Sequence, residues 1–315
     1  MTQTQDTIAM VNGEMVPASE ASVSIFDRGF RWGDAVYDVE RTYHGEIFRV
    51  RRHMERLYRS LKYTRIDSGL TMDEMEADVL KVLEANRHLL GPNEDFSITQ
   101  VVTRGVLWPP EKVGKPNVAI YCDFIDFTEF ASSYITGAKV VMSSTRRNPS
   151  QSLSPNAKIS NKMNHMVAEA EVKGVDPEAY PLMLDLDGNV AEGISNNFLF
   201  VQDGRIKVPN RRNVLHGVTM NSLLELAEGI GIPIDEGDFT PFAVYQADEA
   251  FMTGTSIVVL PVASLNASPI GEEVPGPLTR HLLQAWADLT GVDPVEQALS
   301  HLPADQRRGL EESKK

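Results

Sequence analysis

The chain has 315 residues, 42% of them hydrophobic and 23% charged, an ordinary globular composition. That length buries a large core and is expected to divide into two domains. A net charge of −14 argues against nucleic acid or an anionic membrane as the main partner, though a local basic pocket could still hold a small anion.

Residues 1–9 are polar and lack the apolar stretch of a signal peptide, so a cytoplasmic location is the default expectation. Asn12-Gly13 separates two short apolar runs at 8–11 and 15–16, a two-residue hairpin signal. His44-Gly45 divides 36–43 from 47–50 in the same way. Met54, Leu57 and Leu61 then follow helical spacing over 52–64. Met75, Val79, Val82 and Leu83 repeat it over 71–90, and Gly91-Pro92 stops that helix. Strands are expected at 96–103 and 117–124. The second carries the single cysteine, Cys122, which excludes an intrachain disulfide and reads as a small buried hydrophobe.

Residues 1–128 therefore read as an α+β domain, 129–137 as a linker and 138–300 as a second domain. Hairpins are expected in that domain at Asp187-Gly188 and Asp203-Gly204, and helices at 163–173, 219–229 and 277–290. The first of these helices shows an apolar face of Met163, Met166, Val167 and Ala170. The longest apolar run, 257–265, is interrupted by Pro261 and Ser264 and is too short to span a bilayer. The charged tail 301–315 is expected to fray.

Several chemistries are missing. The seven histidines do not cluster at metal-ligand spacing, and no GxxxxGK[ST] phosphate loop occurs. Gly193-Ile-Ser195-Asn-Asn lacks the last glycine of a nucleophile elbow. Gly229-Ile-Gly231 runs into Ile-Pro, which does not open a helix.

Four segments suggest an anionic, aromatic cofactor. Leu215-His-Gly-Val-Thr219 opens a helix with glycine, where backbone N–H groups and the helix dipole attract an anion; locally it is also an ordinary cap. Met252-Thr-Gly-Thr-Ser256 is a small-residue turn whose hydroxyls and N–H groups could hold phosphate or carboxylate, or merely turn the chain. Asp185 to Gly193 delivers Glu192 at a strand end, either a surface acid or a carboxylate that keeps a ring nitrogen protonated. Asn156-Ala-Lys158-Ile-Ser-Asn-Lys162 offers two lysines. A catalytic one needs burial or neighbouring cations, so that its neutral amine can act as a nucleophile.

In this order, and with Val23-Ser-Ile-Phe-Asp-Arg-Gly-Phe30, Gly33-Asp-Ala-Val-Tyr-Asp38 and His53-Met-Glu-Arg56-Leu, the segments resemble class IV aminotransferases, the branched-chain, D-amino-acid and (R)-amine family. The resemblance covers about 8–290. It implies an α+β fold of two domains, a smaller N-terminal α/β sandwich and a larger C-terminal pseudo-barrel with helices, with pyridoxal 5'-phosphate between them. It implies that Lys158 bonds the cofactor and Glu192 pairs with the pyridine nitrogen, supported by Asn197. Arg56, Gly217, the N–H groups of Val218 and Thr219, and Thr255 would hold the phosphate. Tyr37, Arg41, Trp108, Gly254 and Ser256 would face the substrate. Lys162 is the rival lysine, set aside because it would lie inside the start of the next helix. The reaction implied is ping-pong transfer from an amino donor to a 2-oxo acid, in a homodimer.

The sequence also departs from the family. Tyr37-Asp-Val-Glu-Arg41 replaces the Phe-Glu-Gly-Ile-Arg usual in branched-chain enzymes. Thr103-Arg-Gly-Val-Leu-Trp108-Pro-Pro lacks the Arg-x-His carboxylate trap of D-amino-acid enzymes. Met163 and Met220 stand where a tyrosine and an arginine are usual. The donor is therefore expected to carry an apolar side group, with stereopreference open. A branched-chain L-amino-acid enzyme, an aminodeoxychorismate-type lyase and a non-catalytic binding protein are the alternatives.

Overall fold

The computed structural model describes residues 7–109 and 114–312. Pro110, the polar start of the chain and the last three residues of the tail lie outside them. The chain forms two compact units. One comprises residues up to Ile125 together with Ala157–Lys162; the other comprises Asp126–Asn156 and residues from Met163 onward.

The first unit contains β1 (Ile8–Val11), β2 (Glu14–Pro17), α1 (Arg28–Trp32), β3 (Ala35–Tyr43), β4 (Glu46–Ile47), α2 (Val50–Thr64), α3 (Met72–Asn86), β5 (Phe96–Thr103) and β6 (Asn117–Phe124). Its strands form an antiparallel sheet in the order β2-β1-β6-β5-β3-β4. The two hairpin signals hold because both central residues take positive φ, at Asn12 (52°) and Gly13 (84°), and at His44 (53°) and Gly45 (73°). That geometry matches the twist of the flanking strands. The helical periodicity also holds. Met54 and Leu57 of α2 and Met75, Val79, Val82 and Leu83 of α3 pack on Val36, Ile98, Val102, Ile120 and Cys122 of the sheet. Each fully buried aliphatic side chain contributes on the order of 1.5–3 kcal/mol. Cys122 is buried as expected, and burial pushes its thiol up to about 12.

The second unit contains α4 (Ser133–Thr136), β7 (Ala138–Met142), α5 (Met163–Val175), β8 (Tyr180–Leu182), β9 (Asn197–Gln202), β10 (Arg205–Pro209), α6 (Val218–Gly229), β11 (Ile234–Gly237), α7 (Pro241–Tyr245), β12 (Glu249–Gly254), β13 (Val258–Leu265), β14 (Ser268–Pro269), α8 (Pro277–Thr290), α9 (Pro294–Ser300) and α10 (Ala304–Glu312). Its strands run β11-β10-β9-β12-β13-β7-β8, with β14 on β13. The contacts of β11 with β10, of β13 with β7 and of β7 with β8 are parallel. Asp203-Gly204 makes the expected hairpin. Asp187-Gly188 instead closes a short turn between isolated bridges, Leu184 to Val190.

Four expectations change. Residues 129–137 are not a free linker: Phe130, Ala131, Tyr134 and Ile135 are buried, and α4 is built into the second unit. The boundary falls at Ile125–Asp126, and Ala157–Lys162 returns to the first unit. The tail is helical over Ala304–Glu312, with Arg307 paired to Glu296 at 2.8 Å. Finally, α5 buries His165, Ala168 and Val172, and leaves Met163, Met166 and Val167 exposed. Among the described residues no helix is long and apolar enough to cross a membrane.

Candidate active site

Lys158 owes its place to strand pairing. Ile159 bridges Val36 antiparallel, the Tyr37 N–H donates to the Lys158 carbonyl at 3.1 Å, and the Ser160 N–H donates to the Ala35 carbonyl at 2.9 Å. The Lys158 N–H donates to the Ser60 hydroxyl of α2 at 3.0 Å, so its backbone is held from two sides. Paired residues in a sheet share a face, and neighbours alternate. Ile159 and Val36 therefore turn to the core, while Lys158 and Tyr37 share the opposite face, with the Lys158 Nζ 4.5 Å from the Tyr37 ring centroid. Burial lowers the Lys158 amine below its ordinary range; the charges of Arg56 and Lys162 add to this, and Tyr37 and Asp38 oppose it. In Tyr37 burial works the other way, but the two lysines outweigh it and hold the phenol below its usual range.

On the core face of β3, Asp38 accepts from the Arg56 Nε at 2.8 Å and from its Nη2 at 2.6 Å, with the His53 Nδ1 at 2.8 Å. Burial raises Asp38, yet Arg56 and His53 hold it below the ordinary carboxylate range. Two residues on, Glu40 receives the Gln100 amide at 2.5 Å. Its burial, reinforced by the Asp38 charge, raises it well above the usual carboxylate range. Asp38, Glu40 and His53 lie close enough for a metal ion. The Arg56 guanidinium already occupies the charged partner's place, so this cluster is an ion-pair network.

The second unit builds a different cluster. Glu192 and Asn197 bridge across a tight turn in which the Gly193 N–H donates to the Asn196 carbonyl at 3.0 Å. Glu192 is buried. Its Oε1 accepts from the Arg147 Nε at 2.7 Å; its Oε2 accepts from the Leu215 N–H at 2.9 Å and the Asn197 Nδ2 at 3.2 Å. Asn197 also donates to the Leu215 carbonyl at 2.8 Å, tying the turn to the start of α6. Gly217 caps that helix, and a Cβ there would collide with the Asn197 Oδ1. The first N–H groups of a helix, here those of Val218 and Thr219, have no intrahelical acceptor. Across the sheet Thr253 lies in register with Asn197, and the turn through Gly254, Thr255 and Ser256 follows it. The buried Thr253 hydroxyl has no partner among the described residues.

The sites expected from sequence thus fall into two sets: Tyr37, Arg56 and Lys158 in the first unit, and Glu192, Asn197, residues 217–219 and residues 254–256 in the second. Two residues stand apart. Arg41 is buried and paired with Asp95 at 3.0 Å, its guanidinium 4.3 Å from the Tyr43 ring centroid. It is a buried ion pair. Trp108 is 57% exposed and lines a cavity of about 600 Å³ with Ser24, Leu70 and Lys115, which includes neither Tyr37 nor Lys158. Lys162 immediately precedes α5 and does not sit inside the helix. Sequence reasoning passed over Arg147 and the acids of β3. Arg147 follows another arginine in a polar loop, and only its burial distinguishes it.

The comparisons agree with this geometry. The class IV amino-transferase family matches residues 35–265. A provisionally named branched-chain-amino-acid aminotransferase of Methanocaldococcus jannaschii is 35% identical over 285 residues, 89% of this chain and 95% of its own. D-alanine aminotransferase of Bacillus licheniformis is 29% identical over 280 residues, 88% of this chain and 94% of its own. A branched-chain amino acid aminotransferase from T.th., solved with N-(5'-phosphopyridoxyl)-L-glutamate, matches with a TM-score of 0.81 at 27% identity, over 92% of this chain and 96% of that one. The family match begins with β3, which places Lys158, and ends with β13, which closes the Thr255 turn; the chain belongs to the class IV aminotransferases.

Proposed function

We propose that this chain is a pyridoxal-phosphate-dependent transaminase that takes the amino group from a donor with an apolar side group and passes it to a 2-oxo acid. The observation that carries the reading is the desolvated Lys158 amine, fixed at its backbone by β3 and α2 and placed beside Tyr37. Substrates of this class are named for the relatives, in both the branched-chain and the D-alanine series.

The residues fit the cofactor. A carboxylate offers about four acceptor positions. Three of those on Glu192 are taken by Arg147, Leu215 and Asn197, which leaves one for a ring N–H. The start of α6 offers N–H groups and dipole to a phosphate, and Thr255 offers a hydroxyl. Bound pyridoxal phosphate supplies an aldehyde carbon that accepts the amino group and a ring that stores the electron pair released at the donor Cα. Lys158, as a neutral amine, would hold the cofactor through that carbon and would move the proton of the donor Cα. Glu192 would hold the proton on the ring nitrogen, and Arg147 with Asn197 keeps the carboxylate aimed. Arg56 contributes positive charge for the phosphate while Asp38 fixes its orientation.

We also propose a homodimer. Val23, Ile25, Phe26, Phe30, Trp32 and Trp108 of the first unit are exposed apolar residues, more than scattered single side chains would account for.

The test is a donor panel. L-leucine, D-alanine and (R)-1-phenylethylamine are each supplied with pyruvate or 2-oxoglutarate, to the native protein and to Lys158→Ala. The native protein should turn over at least one donor with an acceptor present and none without. Lys158→Ala should lose both turnover and the visible absorbance of bound cofactor. Product formation without an acceptor, or full activity in Lys158→Ala, overturns the reading.

A further inference from the structure

The second lysine of the 157–162 segment also reaches Tyr37. The Lys162 Nζ lies 5.7 Å from the Tyr37 ring centroid, and the Lys158 Nζ lies 4.5 Å from it. The backbone explains the coincidence. The segment is tied antiparallel to β3 by the Val36–Ile159 bridge and by the Ser160 N–H to the Ala35 carbonyl. The chain bends at Ser160, just past that bridge, and Lys162 comes back to the ring that Lys158 meets. Gly33, in a left-handed conformation, lets the segment pass closely: a Cβ there would lie 3.0 Å from the Asn161 Cα. Two amines on one phenol is a costly arrangement for a surface lysine to adopt by chance, since each disfavours the charged form of the other.

We propose that Lys162 is a positioning residue for Lys158: its ammonium, held against the same Tyr37 ring, keeps the Lys158 amine in its reactive neutral form and keeps the Tyr37 hydroxyl turned toward it. The proposal rests on the reading of Lys158 as the cofactor-bearing lysine. The other charged groups facing Lys158 are Tyr37 and Asp38 from β3 and Arg56 and His53 from α2. Arg56 and Asp38 are paired at 2.6 Å and act on Lys158 with opposite signs, Arg56 more strongly than Asp38. Lys162 acts in the same direction as burial. Both lysines act on Tyr37 by charge and by hydrogen bonding. Substituting Lys162 removes one influence from each member of the Lys158–Tyr37 pair.

The experiment uses the holoprotein with pyridoxal phosphate bound. Borohydride reduction followed by peptide mapping identifies the lysine that carries the cofactor. The visible absorbance of the same protein is then titrated against pH in the native chain, Lys162→Met and Lys162→Arg. The label should fall on Lys158 in all three. The midpoint in Lys162→Met should move upward by about one unit, the size of a close like-charge effect, and Lys162→Arg should restore it. Tyr37→Phe should lessen the difference between native and Lys162→Met. An unchanged midpoint in Lys162→Met, or an arginine that behaves like methionine, overturns the proposal. A label on Lys162 overturns the assignment of Lys158 instead, so the two failures are distinct.

Discussion

Arg147 and Glu192 form the most exacting residue pair of the second unit. Both are buried, and the 2.7 Å contact leaves neither charge in water. Removing one partner of such a pair strands the other, at a cost of about 3–5 kcal/mol. Arg147→Met should therefore lower the melting temperature by roughly 10 °C, as thermal unfolding would read. It should also weaken cofactor retention on dialysis, because Glu192 loses the donor on its Oε1. Arg147→Lys should recover part of the stability. A melt like that of the native protein would mean that the pair contributes nothing. Glu192 itself was legible in the sequence, since it stands in an EGxxxN pattern beside a turn. Arg147 was not: Ser-Ser-Thr-Arg-Arg-Asn is a polar run like many surface loops, and burial depends on what folds over it. The partner of Arg41 was equally hidden, because Asp95 lies 54 positions away in the sequence.

At the level of elements, β3 is unusual in what it buries. Val36, Asp38, Glu40 and Thr42 alternate along one face and all are fully buried. Arg56 balances Asp38, whereas in Glu40 burial and the Asp38 charge outweigh the Gln100 amide and the Arg56 charge and raise it above its ordinary value of 4.5. The sign follows from linkage. A carboxyl whose folded value is raised contributes stability that is intact below its unfolded value and is lost as pH climbs toward the folded one. Glu40→Gln removes that loss. Its melting temperature should match the native protein near pH 4.5 and exceed it increasingly toward pH 8; a lower value at pH 8 would refute the neutral-acid reading. Hairpins and most helices were readable, because positive-φ turn pairs and 3.6-residue spacing are local signals. The covered face of α5 was not. Residues 163, 166 and 170 and residues 165, 168 and 172 have the same spacing, and periodicity alone does not say which set meets the sheet. The supposed linker failed similarly: Ser132, Ser133 and Gly137 look loop-like, but Phe127, Phe130 and Tyr134 supply apolar anchors between them.

For the whole molecule, the apolar surface of the first unit bears on assembly. Phe30 is 70% exposed and Trp32 is 51% exposed. If a second copy covers them, the native protein should sediment at twice the chain mass, and Phe30→Glu combined with Trp32→Ser should sediment as a single chain. A native monomer at micromolar concentration would rule this out. The path of the chain has a different consequence, one of timing. The first unit is complete only when Ala157–Lys162 returns to it, after Asp126–Asn156 has been laid into the second. During synthesis all six strands of that sheet, β1 to β6, are translated before Lys158. Lys158 thus joins its unit last, behind every strand of that sheet in the order of synthesis.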